Sequence, residues 1–137
     1  MVVLFDRFNM PEDVFEVMFA TKQQEIVAKA LIGYIKVNNG EITKTEMSLF
    51  ANELHEGTFE TEIDEPSYLG KRVKLSYNKR QFYDRILTPM KSMGLIDYDL
   101  YKKTYKLSDK FYNEMLKLGI MWKQELQKSV HLLKTKK

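Results

Sequence analysis

Few side chains in this sequence are equipped for covalent or metal chemistry. There is no cysteine, which excludes a thiolate zinc site, a disulfide scaffold and a cysteine nucleophile. The two histidines, His55 and His131, are too few for a histidine metal cluster. His55 is expected at a helix end, beside terminal carbonyls. Glu60, Glu62, Asp64 and Glu65 stand close together, but neither their number nor their spacing matches a calcium loop. The chain has no Gly-rich phosphate loop, no His-Glu metal motif and no nucleophile with a histidine partner. No enzyme, metal or cofactor is therefore expected. What remains is charge. Residues 1–70 carry 5 Lys/Arg and 13 Asp/Glu, a net of −8, and residues 71–137 carry 17 and 6, a net of +11. The overall +3 hides this sorting. A basic half suits a polyanionic partner. The alternative is a set of Lys-rich helices that are simply solvated.

These charges need elements to hold them. A chain of 137 residues, 44% apolar and 30% charged, predicts one globular domain spanning 1–137. No apolar run approaches the ~18 residues that span a bilayer. The opening Val2-Val3-Leu4-Phe5 is too short for a signal peptide and is followed by Asp6, so a soluble cytoplasmic protein is expected.

Pro11, with Val14, Phe15, Met18 and Phe19 at helical spacing, predicts a helix over 11–20. Thr21 and Gln24 form a capping-box pattern for a helix to about residue 38, with Val27, Leu31, Tyr34 and Ile35 on one face. Asn38-Asn39-Gly40 ends it. Thr43 and Glu46 repeat the pattern for a helix over about 44–55, with Met47, Phe50, Ala51 and Leu54 inward and Gly57 closing it. Residues 56–70 hold five acids and no base, and read as a loop with a short strand at 58–63. Asn78 caps a helix over 79–93, with Phe82, Tyr83, Ile86, Leu87, Met90 and Met93 inward. Pro89 inside it predicts a kink near Arg85 or a tightened last turn. Segments 95–99 and 104–107 alternate with period two across four turn residues, which predicts a β-hairpin. Ser108 caps a final helix over about 109–134.

The order helix, short strand, helix, helix, hairpin over residues 21–107 resembles a winged helix-turn-helix domain. The most specific part is the stretch from Tyr83 to Ile96. There Leu87, Met90 and Met93 pack a helix, Gly94 allows a left-handed exit, and Leu95-Ile96 starts the hairpin. The resemblance implies a mainly α fold with a small antiparallel hairpin and extra helices at both ends, 1–20 and 108–137. One departure is clear: residues 56–77 stand where the family has a turn of 3–4 residues.

The resemblance also implies sequence-specific binding of double-stranded DNA, as a transcriptional regulator, with helix 79–93 in the major groove and wing 97–105 on the backbone or minor groove. Gln81, Arg85, Thr88 and Ser92 then face outward. Arg85 suits guanine and Gln81 suits adenine. Lys79, Arg80 and Lys91 on the same helix, and Lys71, Arg72 and Lys74 before it, are phosphate candidates. Tyr101, Lys102 and Lys103 stand at the wing tip. The apolar stripe Phe111, Met115, Leu118, Trp122, Leu126, Val130 and Leu133 predicts homodimerisation, the alternative being that this helix packs back on 11–20 and 22–38. Two other readings stay open: a winged-helix protein-docking module, and a DNA binder in replication or plasmid maintenance. Nothing in the sequence names a small-molecule effector.

Overall fold

The computed structural model describes residues 6–62 and 72–129. Residues 1–5 of the N-terminal arm, together with Asp64, Glu65, Lys71, Val130, His131 and Leu133, lie outside these. The first helix, α1 (Val14–Met18), starts later than the predicted Pro11. The Asp13 carboxylate accepts from the Phe15 N–H at 2.8 Å, so the cap sits at Asp13 and Pro11 lies ahead of the helix. Helix α2 (Lys22–Val37) is capped by Thr21, whose hydroxyl accepts from the Gln24 N–H at 3.1 Å. Val27, Leu31 and Ile35 on its inner face are buried. The chain leaves it through left-handed residues, Asn39 at φ 62° and Gly40 at φ 82°.

Strand β1 (Glu41–Thr43) leads directly into α3 (Lys44–Glu56). Both halves of the predicted capping box form: the Thr43 hydroxyl accepts from the Glu46 N–H at 3.1 Å, and the Glu46 carboxylate accepts from the Thr43 N–H at 3.0 Å. Met47, Phe50, Ala51 and Leu54 are buried as their spacing predicts. Gly57, at φ 73°, ends the helix.

The segment read as an acidic loop with a short strand at 58–63 holds two paired strands in and after its described part. Strand β2 (Phe59–Glu62) pairs antiparallel with β3 (Arg72–Leu75), with Phe59 opposite Leu75 and Glu60 opposite Lys74. The return strand was not anticipated at all. Its base is closed by the Tyr77 N–H, which donates to the Leu54 carbonyl at 2.9 Å, and by Gln23 Nε2, which donates to the Ser76 carbonyl at 3.3 Å. Phe59 packs edge-on against Phe50 at 4.7 Å between ring centroids. The long interruption between two helices is thus drawn shut at its base, and α3 and the next helix remain neighbours.

That next helix runs without a break through α4 (Lys79–Gln81), a π-helical turn (Phe82–Leu87) and α5 (Thr88–Ser92). Neither a tightened turn nor a simple kink at Arg85 is what Pro89 produces; the turn widens instead. The Thr88 N–H donates to the Tyr83 carbonyl, five residues back. Proline has no N–H to give and its ring crowds the carbonyl four residues earlier, so the ladder shifts register before it arrives. The inward set shifts accordingly. Phe82, Ile86, Leu87 and Met90 are buried, Tyr83 is half-buried, and Met93, expected inside, is 39% exposed.

Strands β4 (Ile96–Asp99) and β5 (Thr104–Leu107) form the predicted hairpin. β1 joins its free side, giving the order β1-β5-β4 with all pairs antiparallel. The architecture is mainly helical with small antiparallel sheets, and one core gathers Leu31, Ile35, Ile42, Phe50, Phe82 and Ile96 between helices and sheet.

The last helix, α6 (Lys110–Gln127), ends well before the predicted residue 134, where Lys128 turns to an extended conformation. It is fixed only at its base. The Phe111 N–H donates to the Gly94 carbonyl at 3.0 Å, and Lys110 pairs with Asp97 at 2.9 Å. Residues 112–127 are all exposed, so α6 does not pack back on α1 and α2. Among the described residues no helix is long and apolar enough to cross a membrane.

Candidate functional site

The helix at 79–92 is held at its start by three contacts. The Asn78 side chain accepts from the Gln81 N–H at 3.0 Å, and the Asn78 carbonyl accepts from the Phe82 N–H at 2.8 Å. The third comes from α3: His55 Nδ1 accepts from the Lys79 N–H at 3.2 Å. His55 does sit at a helix end, yet it serves the amides of the following helix rather than the carbonyls of its own. This fixes the tautomer with the proton on Nε2. Half-buried Tyr83 adds a further tie to α3. Burial raises its phenol above the ordinary tyrosine value, and a hydrogen bond with Ser48 opposes the shift.

The outward face of this helix carries Arg80, Gln81, Asp84, Arg85, Thr88, Lys91 and Ser92, all exposed. Lys79 is half-buried. Every helix residue predicted to face outward does so. Asp84 was not anticipated on this face; it lies 3.8 Å from Arg80, whose side chain is 91% exposed. Arg85 differs. Among the described acids, Asp84 is engaged by Arg80, Asp97 by Lys110 and Glu60 by Arg72; Asp64 and Glu65 lie outside the described residues. No ion pair joins Arg85 to any described residue. Arg85 is exposed on this face, and an exposed guanidinium is suited to bidentate recognition of an external partner. An open cleft of about 440 Å³, lined by His55, Asn78, Lys79, Arg80, Tyr83 and Asp84, lies at the start of the helix.

No family model, curated protein or solved structure matches this chain.

At the other end of the helix the hairpin supplies a second set of groups. The Lys91 ammonium lies 5.9 Å from the ring centroids of both Tyr98 and Tyr105, so it is held at the junction of helix and hairpin. The hairpin tip is organised by Asp99. Its carboxylate accepts from the N–H groups of Tyr101 at 2.9 Å and Lys102 at 3.0 Å, and its carbonyl accepts from the Lys103 N–H at 2.7 Å. The Lys102 and Tyr101 amides hold the Asp99 carboxyl below the ordinary aspartate value. Lys103 adopts φ 55° to close the turn. The tip thereby displays Lys102, Lys103, Tyr101 at 98% exposure and Leu100 at 76%. Leu100 was missed from sequence, although an apolar residue in a four-residue turn was the available signal.

The remaining predicted cations fall apart from this set. Arg72 and Lys74 are exposed on β3, where Arg72 lies 3.9 Å from Glu60 and Lys74 is opposite Glu60 in register. Their charge is in part answered within the hairpin. Of the predicted dimer residues, Phe111 is half-buried at the base of α6, while Met115, Leu118, Trp122 and Leu126 are exposed along it.

Proposed function

We propose that this chain is a winged helix-turn-helix protein that binds double-stranded DNA in a sequence-specific manner and acts as a transcriptional regulator. Three features support the fold reading. α2, α3 and the 79–92 helix share one core with a sheet ordered β1-β5-β4. The long insert between the second and third helices is closed at its base. The hairpin follows the third helix directly. On this reading the 79–92 helix enters the major groove. Arg85 and Gln81 read base edges, with Thr88 and Ser92 beside them. Lys79, Arg80 and Lys91 contact phosphates, and the 99–104 tip meets the backbone or minor groove.

The observation that carries the proposal is the outward face itself: an exposed Arg85 that pairs with no acid among the described residues, amid polar side chains, on the helix that the hairpin adjoins. The test is fluorescence anisotropy with random-sequence duplex DNA at two salt concentrations. Binding is expected at ~50 mM salt and should weaken steeply at higher salt. Arg85→Ala should then reduce the preference among sequences selected from a random library, whereas Lys79→Ala/Arg80→Ala should weaken all sequences alike. Absence of binding at low salt would sink the DNA reading and leave the winged-helix docking reading.

A further inference from the structure

Helix α6 leaves the body of the protein with its apolar side uncovered. Eight large side chains are 44–66% exposed along it; Ile120 and Met121 lie off the main stripe, and the other six are Tyr112, Met115, Leu116, Leu118, Trp122 and Leu126. At ~100° per residue they fall within one arc of about 160°. Together they expose roughly 800 Å², which is what one partner contributes to a standard stable interface. A monomer rarely leaves so much contiguous apolar surface in water.

Two further features of α6 say what covers it. The first is Gly119, in the middle of the apolar arc. Glycine inside a helix costs about 1 kcal/mol relative to alanine, and a Cβ there would meet nothing of its own chain within 4 Å. Its own fold does not require it. A second helix crossing at this point does, because a glycine lets two backbones approach closely. The second feature is the distribution of charge. One edge of the arc carries Glu114 and Glu125, each bonded to a lysine further round the helix, Lys117 at 3.2 Å and Lys128 at 2.8 Å. The opposite edge carries Lys123. When two such helices pair in parallel about a two-fold axis, each edge meets the other edge of its partner. Glu125 then faces Lys123 of the second copy. In the antiparallel arrangement the acidic edges would meet one another, and like charges repel.

We propose that α6 pairs in parallel with α6 of a second copy of this chain, crossing at Gly119 with Trp122 and Leu126 buried between them. The proposal is independent of DNA binding, and its test uses no DNA. The chain holds a single tryptophan, Trp122, and no cysteine, so each can serve as a unique probe. Light scattering on the eluted wild-type protein should give a dimer mass at ~100 µM, and on dilution the Trp122 emission should shift to the red as the dimer dissociates. Leu118→Glu should be monomeric while keeping the near-UV signal of the folded core. Gly119→Leu separates a contact from a purely local role. It favours the isolated helix, yet it should weaken the dimer at least tenfold. Leu126→Cys should form an intermolecular disulfide on mild oxidation. A wild-type monomer at ~100 µM, or a dimer unaffected by Leu118→Glu and Gly119→Leu, overturns the proposal. A dimer that is sensitive to both but does not cross-link through Cys at 126 overturns the parallel arrangement.

Discussion

At the residue scale, single side chains and one glycine fix the parts that face solvent. Gly94 has two reasons to be glycine. It adopts φ 83°, and a Cβ would stand 2.8 Å from the Lys110 Cβ and 2.9 Å from the Phe111 nitrogen. Backbone strain and overpacking add, so Gly94→Ala should cost about 3 kcal/mol in urea denaturation. Asp99 governs the hairpin tip in a pH-dependent way. Its folded value lies below that of the unfolded chain because the Lys102 and Tyr101 amides favour the carboxylate. Its contribution is therefore complete above the ordinary aspartate value and is lost as pH falls through the lowered one. An NMR titration of the Asp99 carboxyl should show a midpoint below that of an ordinary aspartate, and the Tyr101 and Lys102 amide signals should move with it. Asp99→Ala should loosen the tip while leaving the core spectrum unchanged. The sequence placed Asp99 at the end of the segment 95–99 and gave it no part in the turn. The role of His55 was hidden because its partner, the Lys79 N–H, is 24 residues away in sequence.

At the element scale, the decisive feature is the π-turn before Pro89. One additional residue in a turn rotates everything beyond it by about 100°. Arg85 and Gln81 therefore owe their orientation relative to Lys91 and Ser92 to this turn. Pro89→Ala restores the missing donor and should let the ladder return to α-helical register. On the DNA-binding proposal, we expect the protein to remain folded and its affinity for the selected duplex to fall about tenfold, ~1.4 kcal/mol, in the anisotropy assay. The starts of α2, α3 and the 79–92 helix were legible because caps are local: Thr21, Thr43 and Asn78 each bond to an amide three residues ahead. The widened turn was not, since a proline in a helix is compatible with a kink, a break or a bulge. Surrounding packing chooses among them. Strand β3 was missed for a related reason. Its four residues, Arg72 to Leu75, alternate too briefly to stand out, and the short strand expected at 58–63 named no partner.

At the scale of the whole molecule, Phe50 joins the pieces. Its ring lies 5.4 Å from Tyr34 of α2, 4.7 Å from Phe59 of the inserted hairpin and 5.5 Å from Phe82 of the outward helix. Phe50→Ala should cost ~4 kcal/mol in denaturant unfolding, because the cavity would open at a point that three elements share. The sorting of charge acts at the same scale. If Lys79, Arg80, Lys91, Lys102 and Lys103 each neutralise a phosphate, the slope of log K against log salt should be roughly −4.5. Removing Lys79 and Arg80 should make that slope shallower by roughly 2. A slope near zero would dissociate this surface from nucleic acid altogether.

The helices, the β4–β5 hairpin and most of the core positions follow from the order of residues alone. Caps, glycine exits and apolar periodicity act over a few residues, and Thr43-Glu46 or Met47-Phe50-Ala51-Leu54 state their structure locally. The outward set on the 79–92 helix was equally readable, because it is the complement of a buried set. What only the tertiary structure decided depends on contacts between distant residues. It draws Phe59 and Leu75 together, so that the insert does not part α3 from the helix that follows. It assigns Asp84, Asp97 and Glu60 to other cations and leaves Arg85 without an acid among the described residues. It holds α6 by its first turn alone, exposing a stripe whose burial the sequence could place equally well against its own chain. Ion pairing and burial are settled by which partner is nearest in space, and for these residues the nearest partner is far along the chain.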